Sequence, residues 1–257
     1  MMPENSLFVC IRVPKSGSLS LTHGLMAAFA EQRVFYVPNT LDPDSQVSRL
    51  QRLRFLRARF QNLSRHYGTA SMGAVWARID REARSGDLLM GGHVDFRTAS
   101  AKIRRPLQII TLLREPIARA HSEYDYMRRG YARKSRLSRF DASVLHKRAG
   151  RLDFDSYLDF LFAHRAIYGD IASQYLGWTG GDGPGEFFAR HVFHCGVLER
   201  SADFAQVLSE KLGRPFALPV ENRTRSERPE VTARQRSLLE QIYARDMVLY
   251  DWVRLNC

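Results

Sequence analysis

Cysteine is scarce, with three in 257 residues: Cys10, Cys195 and Cys257. No two of them stand at the spacing of a zinc site or a disulfide framework, so the chain is not a stapled mini-domain. The thiols suit a reducing compartment. Long apolar runs are missing too, since none reaches the roughly 18 residues of a membrane-spanning helix. The first apolar run, Leu7 to Val13, is short and carries Arg12, which excludes a signal-peptide core. Acidic side chains are in deficit. Twenty-seven Asp and Glu face 39 Lys and Arg, giving +12 and a pI near 10.0. Lysine is rare even among the cations: five are Lys, so 39 − 5 = 34 are Arg. Repeats and low-complexity tracts are absent. These deficits predict a soluble, cytoplasmic protein.

What is present suits a globular domain. Hydrophobic residues make up 44% and charged residues 26%, values that argue against global disorder. The length fits one larger α/β domain able to bury a full core. A basic surface attracts anions: nucleotides, sulfated or carboxylated glycans, nucleic acid or an acidic membrane. Arginine adds a planar fork that grips phosphate, sulfate or carboxylate at two points, although genomic base composition also enriches it.

Apolar patterning alternates strands with helices. Leu7 to Val13 and Leu107 to Leu113 are almost continuously apolar, as central parallel strands covered on both faces are. Val34 to Val37, Asp87 to His93 and Val192 to Val197 read as further strands. Helices are predicted from Ser18 to about Gln32, and over 44–67, 71–84, 154–162, 167–176, 203–212 and 232–253. Pro116 fits the first turn of another helix after Leu113. Alternation of this kind implies a parallel sheet between helical layers, a P-loop-like three-layer α/β sandwich. The whole chain, 1–257, is read as one domain. It carries a helical insert at about 43–86, a basic segment at about 128–150 and a terminal helix at about 232–254. In the 44–67 helix the apolar stripe reads as core packing beneath a solvated arginine face, with a membrane or partner contact as the alternative.

Two constellations carry chemistry. Pro14-Lys15-Ser16-Gly17-Ser18-Leu19-Ser20-Leu21 joins a buried strand to a helix. Small residues let the backbone turn its N–H groups toward an anion at a helix N-terminus, with Lys15 at the mouth and serine hydroxyls as donors. It is not a Walker A loop, in which Lys follows the last Gly. The alternative is an ordinary turn with N-capping serines. In the second, Arg114 stands at the C-terminal tip of a strand, where parallel sheets bind ligands. Ser122 follows two helical turns later. A cation and a hydroxyl so placed can converge on one phosphate; the alternative is an arginine capping neighbouring carbonyls.

Together these motifs resemble the nucleotide site of sulfotransferases that use 3′-phosphoadenosine-5′-phosphosulfate (PAPS). The likeness is to the carbohydrate enzymes of the heparan and dermatan 2-O-sulfotransferase group. The lysine loop is similar to the family's 5′-phosphosulfate loop, and Arg114 with Ser122 to its 3′-phosphate element. Gly91-Gly92-His93 resembles the segment holding the group's general base. Gln174-Tyr175-Leu176, Gly196 to Arg200, and Glu221-Asn222-Arg223-Thr224 before a helix with Asp246 resemble later landmarks. Ser18-Leu19 departs from the usual Thr or Gly followed by Thr or Ser, and no membrane anchor precedes the domain, which suggests a bacterial-type cytosolic enzyme.

The resemblance implies sulfonate transfer from PAPS to a hydroxyl of a carbohydrate-type acceptor. Lys15 and His93 would be catalytic. Lys15, Ser16, Gly17, Ser18, Leu19, Ser20, Arg114, Ser122, Arg223 and Thr224 would hold the donor, and His93, Arg133, Lys134 and Arg139 the acceptor. No metal, nucleic acid or transmembrane segment is expected. A P-loop-like nucleotide phosphotransferase and a non-catalytic polyanion-binding protein are the alternatives.

Overall fold

In the computed structural model, residues 5–37, 72–92, 94–140, 142–219 and 230–257 are described. The helix expected over 44–67, His93, and Arg223 with Thr224 lie outside them. Five strands form one sheet: β1 (Leu7–Cys10), β2 (Val34–Val37), β3 (Leu88–Gly91), β4 (Leu107–Leu113) and β5 (Val192–Val197). Every pairing is parallel, and the strand order is β2-β3-β1-β4-β5. The chain is thus an α/β sandwich with its sheet as the middle layer. All seven residues of β4 are buried, as a strand covered on both faces requires.

Alternate side chains feed two cores because successive strand residues point to opposite faces. Phe8, Cys10, Leu88, Met90, Ile110 and Leu112 pack against α1 (Ser18–Ala28) and α11 (Ser201–Leu212). Leu7, Val9, Leu89, Leu107 and Ile109 face the other way. There they meet α2 (Met72–Glu82), α3 (Phe96–Lys102), α9 (Ile171–Leu176), α10 (Pro184–His191) and α13 (Ala244–Asn256). Burial raises the Cys10 thiol to about 12 and the Cys195 thiol well above its ordinary value, so neither is a thiolate at neutral pH.

A third cluster lies beyond the sheet. It joins α4 (Pro116–Ala132), α6 (Val144–Arg151), α7 (Phe154–Ala163) and α12 (Ala233–Ile242) around Tyr124, Tyr157, Leu239 and Tyr243. Pro116 occupies the first turn of α4, and the Glu115 carboxylate accepts from the N–H groups of Ile117 and Ala118. No helix among the described residues is long and apolar enough to cross a membrane.

Several elements differ from the sequence pattern. β1 ends at Cys10, although the Ile11 N–H still donates to Ile110 O at 3.1 Å. The basic segment after α4, given no element from sequence, forms α5 (Arg136–Phe140) and α6. Pro184 opens α10, for which the sequence pattern gave no helix. Two predicted helices are each broken: 167–176 into α8 (Arg165–Tyr168) and α9, and 232–253 into α12 and α13. One junction causes both breaks. Asp170 adopts φ 47°, its N–H donates to Ile242 O, and its carboxylate accepts from Arg245 N and Nε. Buried Asp246 accepts in turn from the N–H groups of Ala172 and Ser173.

Candidate functional site

The loop leaving β1 turns sharply, and its Ser16 N–H donates back to Val13 O at 3.4 Å. Lys15 has φ 65° and Gly17 φ 71°, while Ser16 between them is not left-handed. Left-handed residues in a tight turn gather successive N–H groups into an anion-binding concavity. Gly17 is the N-cap of α1, no side chain caps that helix, and its first turn carries no acid. The positive end of the helix dipole is therefore left for an external anion. Ser16 is 1% exposed, and its hydroxyl has no hydrogen-bond partner among the described residues. A buried donor in that state costs about 1–3 kcal/mol, which suits a group awaiting a ligand. The turn has no spare room: a Cβ on Gly17 would meet Leu198 Cδ1 at 2.8 Å and Leu112 Cδ2 at 3.3 Å.

β4 lies beside β1, in register from Leu7 with Leu107 to Cys10 with Ile110. From β1 the chain goes to β2 at one edge; from β4 it goes to β5 at the other. The crevice between two such strands is the topological switch point, where open α/β sheets bind ligands. Both sequence constellations open onto it. Arg114, at the tip of β4, donates from Nη1 to Lys15 O at 3.1 Å. It therefore does cap a carbonyl, and that carbonyl belongs to the lysine loop.

Helix α4 closes one side. The Lys15 ammonium lies 4.4 Å from the Tyr126 ring centroid. Burial lowers the Lys15 pKa most, followed by the charges of Arg114 and Arg129, while Glu123 opposes them. Ser122, Tyr126 and Arg129 are spaced by four and three residues, so they share one face of α4. Lys15, Arg114 and this stripe make a positive corner. Nearby acids are already engaged. Glu115 caps α4, Glu123 pairs with buried Arg119 at 3.0 Å, and Glu199 accepts from Glu115 N and the Tyr250 hydroxyl.

Other predicted residues are placed less centrally. Ser18, Leu19 and Ser20 form the first turn of α1, where Leu19 is exposed and Ser20 buried. His93 lies outside the described residues; Gly91, the last residue of β3, accepts from Arg12 Nη1 at 3.2 Å. That bond ties the β1 exit to the turn preceding His93. Arg133 is the C-cap residue of α4. Lys134 follows it beside His146, whose pKa it helps burial to lower. Arg139 stacks on Tyr131 at 5.1 Å and donates to Ala132 O, so this cation is held by its own fold.

Sequence motifs alone missed Tyr126, Glu123 and Arg12 as members of this corner. The spacing from Ser122 to Tyr126 was the available signal. A separate cleft of about 500 Å³ opens on the neighbouring flank of α4, lined by His121, Tyr124, Arg128, Arg151, Phe154 and Gln235 among others. Lys15, Arg114 and Ser122 do not line it. The switch-point corner unites a sharp lysine-bearing turn, a buried hydroxyl and clustered cations.

No protein-family model matches the chain, and no curated protein matches it.

Chemically, the corner suits a ligand with clustered negative charge. The Arg114 guanidinium is fixed by its bond to Lys15 O and the Lys15 ammonium rests over the Tyr126 ring, which limits the reorganisation that anion binding requires.

Proposed function

We propose that the chain is a PAPS-dependent sulfotransferase acting on a hydroxyl of a carbohydrate-type acceptor. One observation carries this reading: the Arg114 hydrogen bond to Lys15 O joins two motifs 99 residues apart at one switch-point crevice. A nucleotide with phosphates at both ends of its ribose calls for two neighbouring anion sites. The lysine loop would receive the 5′-phosphosulfate, with Ser16, Gly17, Ser18, Leu19 and Ser20 as its donor wall. Arg114 and Ser122 would take the 3′-phosphate, and Arg223 with Thr224 would contact the same nucleotide.

In the proposed step the acceptor oxygen attacks sulfur in line. A new O–S bond forms as the bond between sulfur and the 5′-phosphate oxygen breaks, and that oxygen keeps the electron pair. His93 takes the acceptor proton, a role that an imidazole side chain can fill. Lys15 stabilises the charge growing on the departing phosphate oxygen. Its lowered pKa reflects a crowded, partly desolvated cation, and an anion would relieve that crowding. Arg133 and Lys134, one turn beyond Arg129, are placed to attract an anionic acceptor, with Arg139 behind them. A cytoplasmic location belongs to the same proposal.

The test is a thermal-shift comparison of 3′,5′-bisphosphoadenosine, ATP and heparin, followed by transfer of labelled sulfonate from PAPS to a saccharide panel. Selective stabilisation by the bisphosphate with transfer supports the reading. Preference for ATP turns it toward a phosphotransferase, and a response to heparin alone turns it toward polyanion binding.

A further inference from the structure

We propose that the turn following α4 docks the protein on a bilayer carrying anionic headgroups. This proposal does not depend on the sulfotransferase reading. On α5, Leu137 is 81% exposed and Phe140 is 78% exposed. They stand three residues apart and so share a helix face. Val144, 46% exposed, opens the next helix, four residues after Phe140 in the chain. Isolated apolar side chains are common on protein surfaces. A leucine and a phenylalanine paired at helical spacing and almost wholly in water form a patch that calls for a partner.

The surroundings identify the partner. Residues 128–151 contain nine cations and one acid, Asp141. Arg129 acts on Lys15, Arg128 and Arg151 line the α4 cleft, Arg139 stacks on Tyr131 and Arg148 on Phe160. Arg133, Lys134 and Arg136 lie within four residues of Leu137 in the chain. Among the described residues no ion pair engages Arg133, Lys134 or Arg136. A soluble polyanion would use the cations and gain nothing from Leu137 and Phe140. An anionic bilayer uses both, because its charged surface overlies an apolar phase that such side chains can enter. Long arginine side chains can follow, keeping their heads at the phosphate level. Since α4 begins at Pro116, two residues after Arg114, and leads to this turn, docking would bring the switch-point crevice to within about 25 Å of the headgroups, at 1.5 Å of rise per residue.

The experiment is co-sedimentation of the full chain with phosphatidylcholine vesicles and with mixed phosphatidylcholine–phosphatidylserine vesicles. Wild type should pellet only with the mixed vesicles, and less so as salt rises. Leu137→Ser with Phe140→Ser should weaken vesicle binding by about tenfold or more while leaving heparin affinity unchanged. The single Phe140→Ser variant serves if the double variant is unstable. Phosphatidylserine-independent pelleting, no pelleting, or undiminished vesicle binding by a folded variant overturns the proposal. The last result would mark a plain polyanion face. Bisphosphate binding reads out separately, so failure here leaves the nucleotide site untouched.

Discussion

The Arg114 guanidinium donates to the carbonyl oxygen of Lys15 across 3.1 Å. The bond fastens the exit of β4 to the exit of β1. It also holds Lys15 in its left-handed conformation, which a non-glycine residue adopts at a cost of about 1–2 kcal/mol. Two cations are thereby kept close together, an arrangement that the burial-lowered Lys15 pKa already registers.

Lys15→Ala is expected to cut sulfonate transfer by about 10²–10³ in kcat, the usual effect of losing one preorganised charge-stabilising donor. Steady-state kinetics with PAPS check this. Near-wild-type turnover removes Lys15 from the chemistry.

Arg114→Ala is expected to lose discrimination between the 3′-phosphorylated nucleotide and plain adenosine phosphosulfate. The loss should be about ten- to a hundredfold, the range for a charge-assisted hydrogen bond. Calorimetry with both ligands measures it, and an unchanged ratio refutes the 3′-phosphate role. The variant should also lose a little stability, because the lysine loop loses its fastening.

Gly17→Ala places a Cβ on a residue at φ 71° and 2.8 Å from Leu198 Cδ1. A loss of about 2–4 kcal/mol is expected from the left-handed backbone and the overpacking together. Chemical denaturation measures the stability, and bisphosphate affinity should fall with it. A neutral result would show that the loop is looser than its geometry implies.

His194 should make stability pH-dependent. It is 3% exposed. Its Nε2 faces Phe204 O at 3.1 Å and therefore carries the proton, while Nδ1 receives Lys211 Nζ at 3.5 Å. Burial first, then Lys211, lowers its pKa from 6.5 to about 4. Between those values the unfolded chain binds more protons than the folded one. Stability is therefore full above about pH 6.5 and declines toward pH 4, by about 3 kcal/mol at most. His194→Gln should flatten that part of the profile in urea titrations. An equally steep decline in the variant places the acid sensitivity elsewhere.

Asp246→Ala is expected to cost about 3 kcal/mol or more. It strips an acceptor from the Ala172 and Ser173 N–H groups and removes a counter-charge from buried Arg119. Asp246→Asn should be milder, since one carbonyl acceptor survives. Thermal unfolding compares the two, and equal losses would assign the effect to charge alone.

Much of the fold was legible in the amino-acid order. A strand buried on both faces is mostly apolar, so the runs at Leu7 and Leu107 announced the central pair of the sheet. A proline can only start a helix, so Pro116 marked the head of α4. The lysine loop and the Arg114-to-Ser122 interval were legible as well, because their residue types suit anions at a strand exit. The broken helices were not. Periodicity runs unbroken through Tyr243, and what stops the helix is Asp170, which is far away in the chain and bonds to its backbone. The same holds for the site. Local sequence determined which residues can bind an anion, since that is a property of side-chain chemistry and turn shape. Only the tertiary structure decided that Arg114 meets Lys15 and that Tyr126 and Arg129 flank it, because strand order and helix docking are set by burial summed over the whole chain.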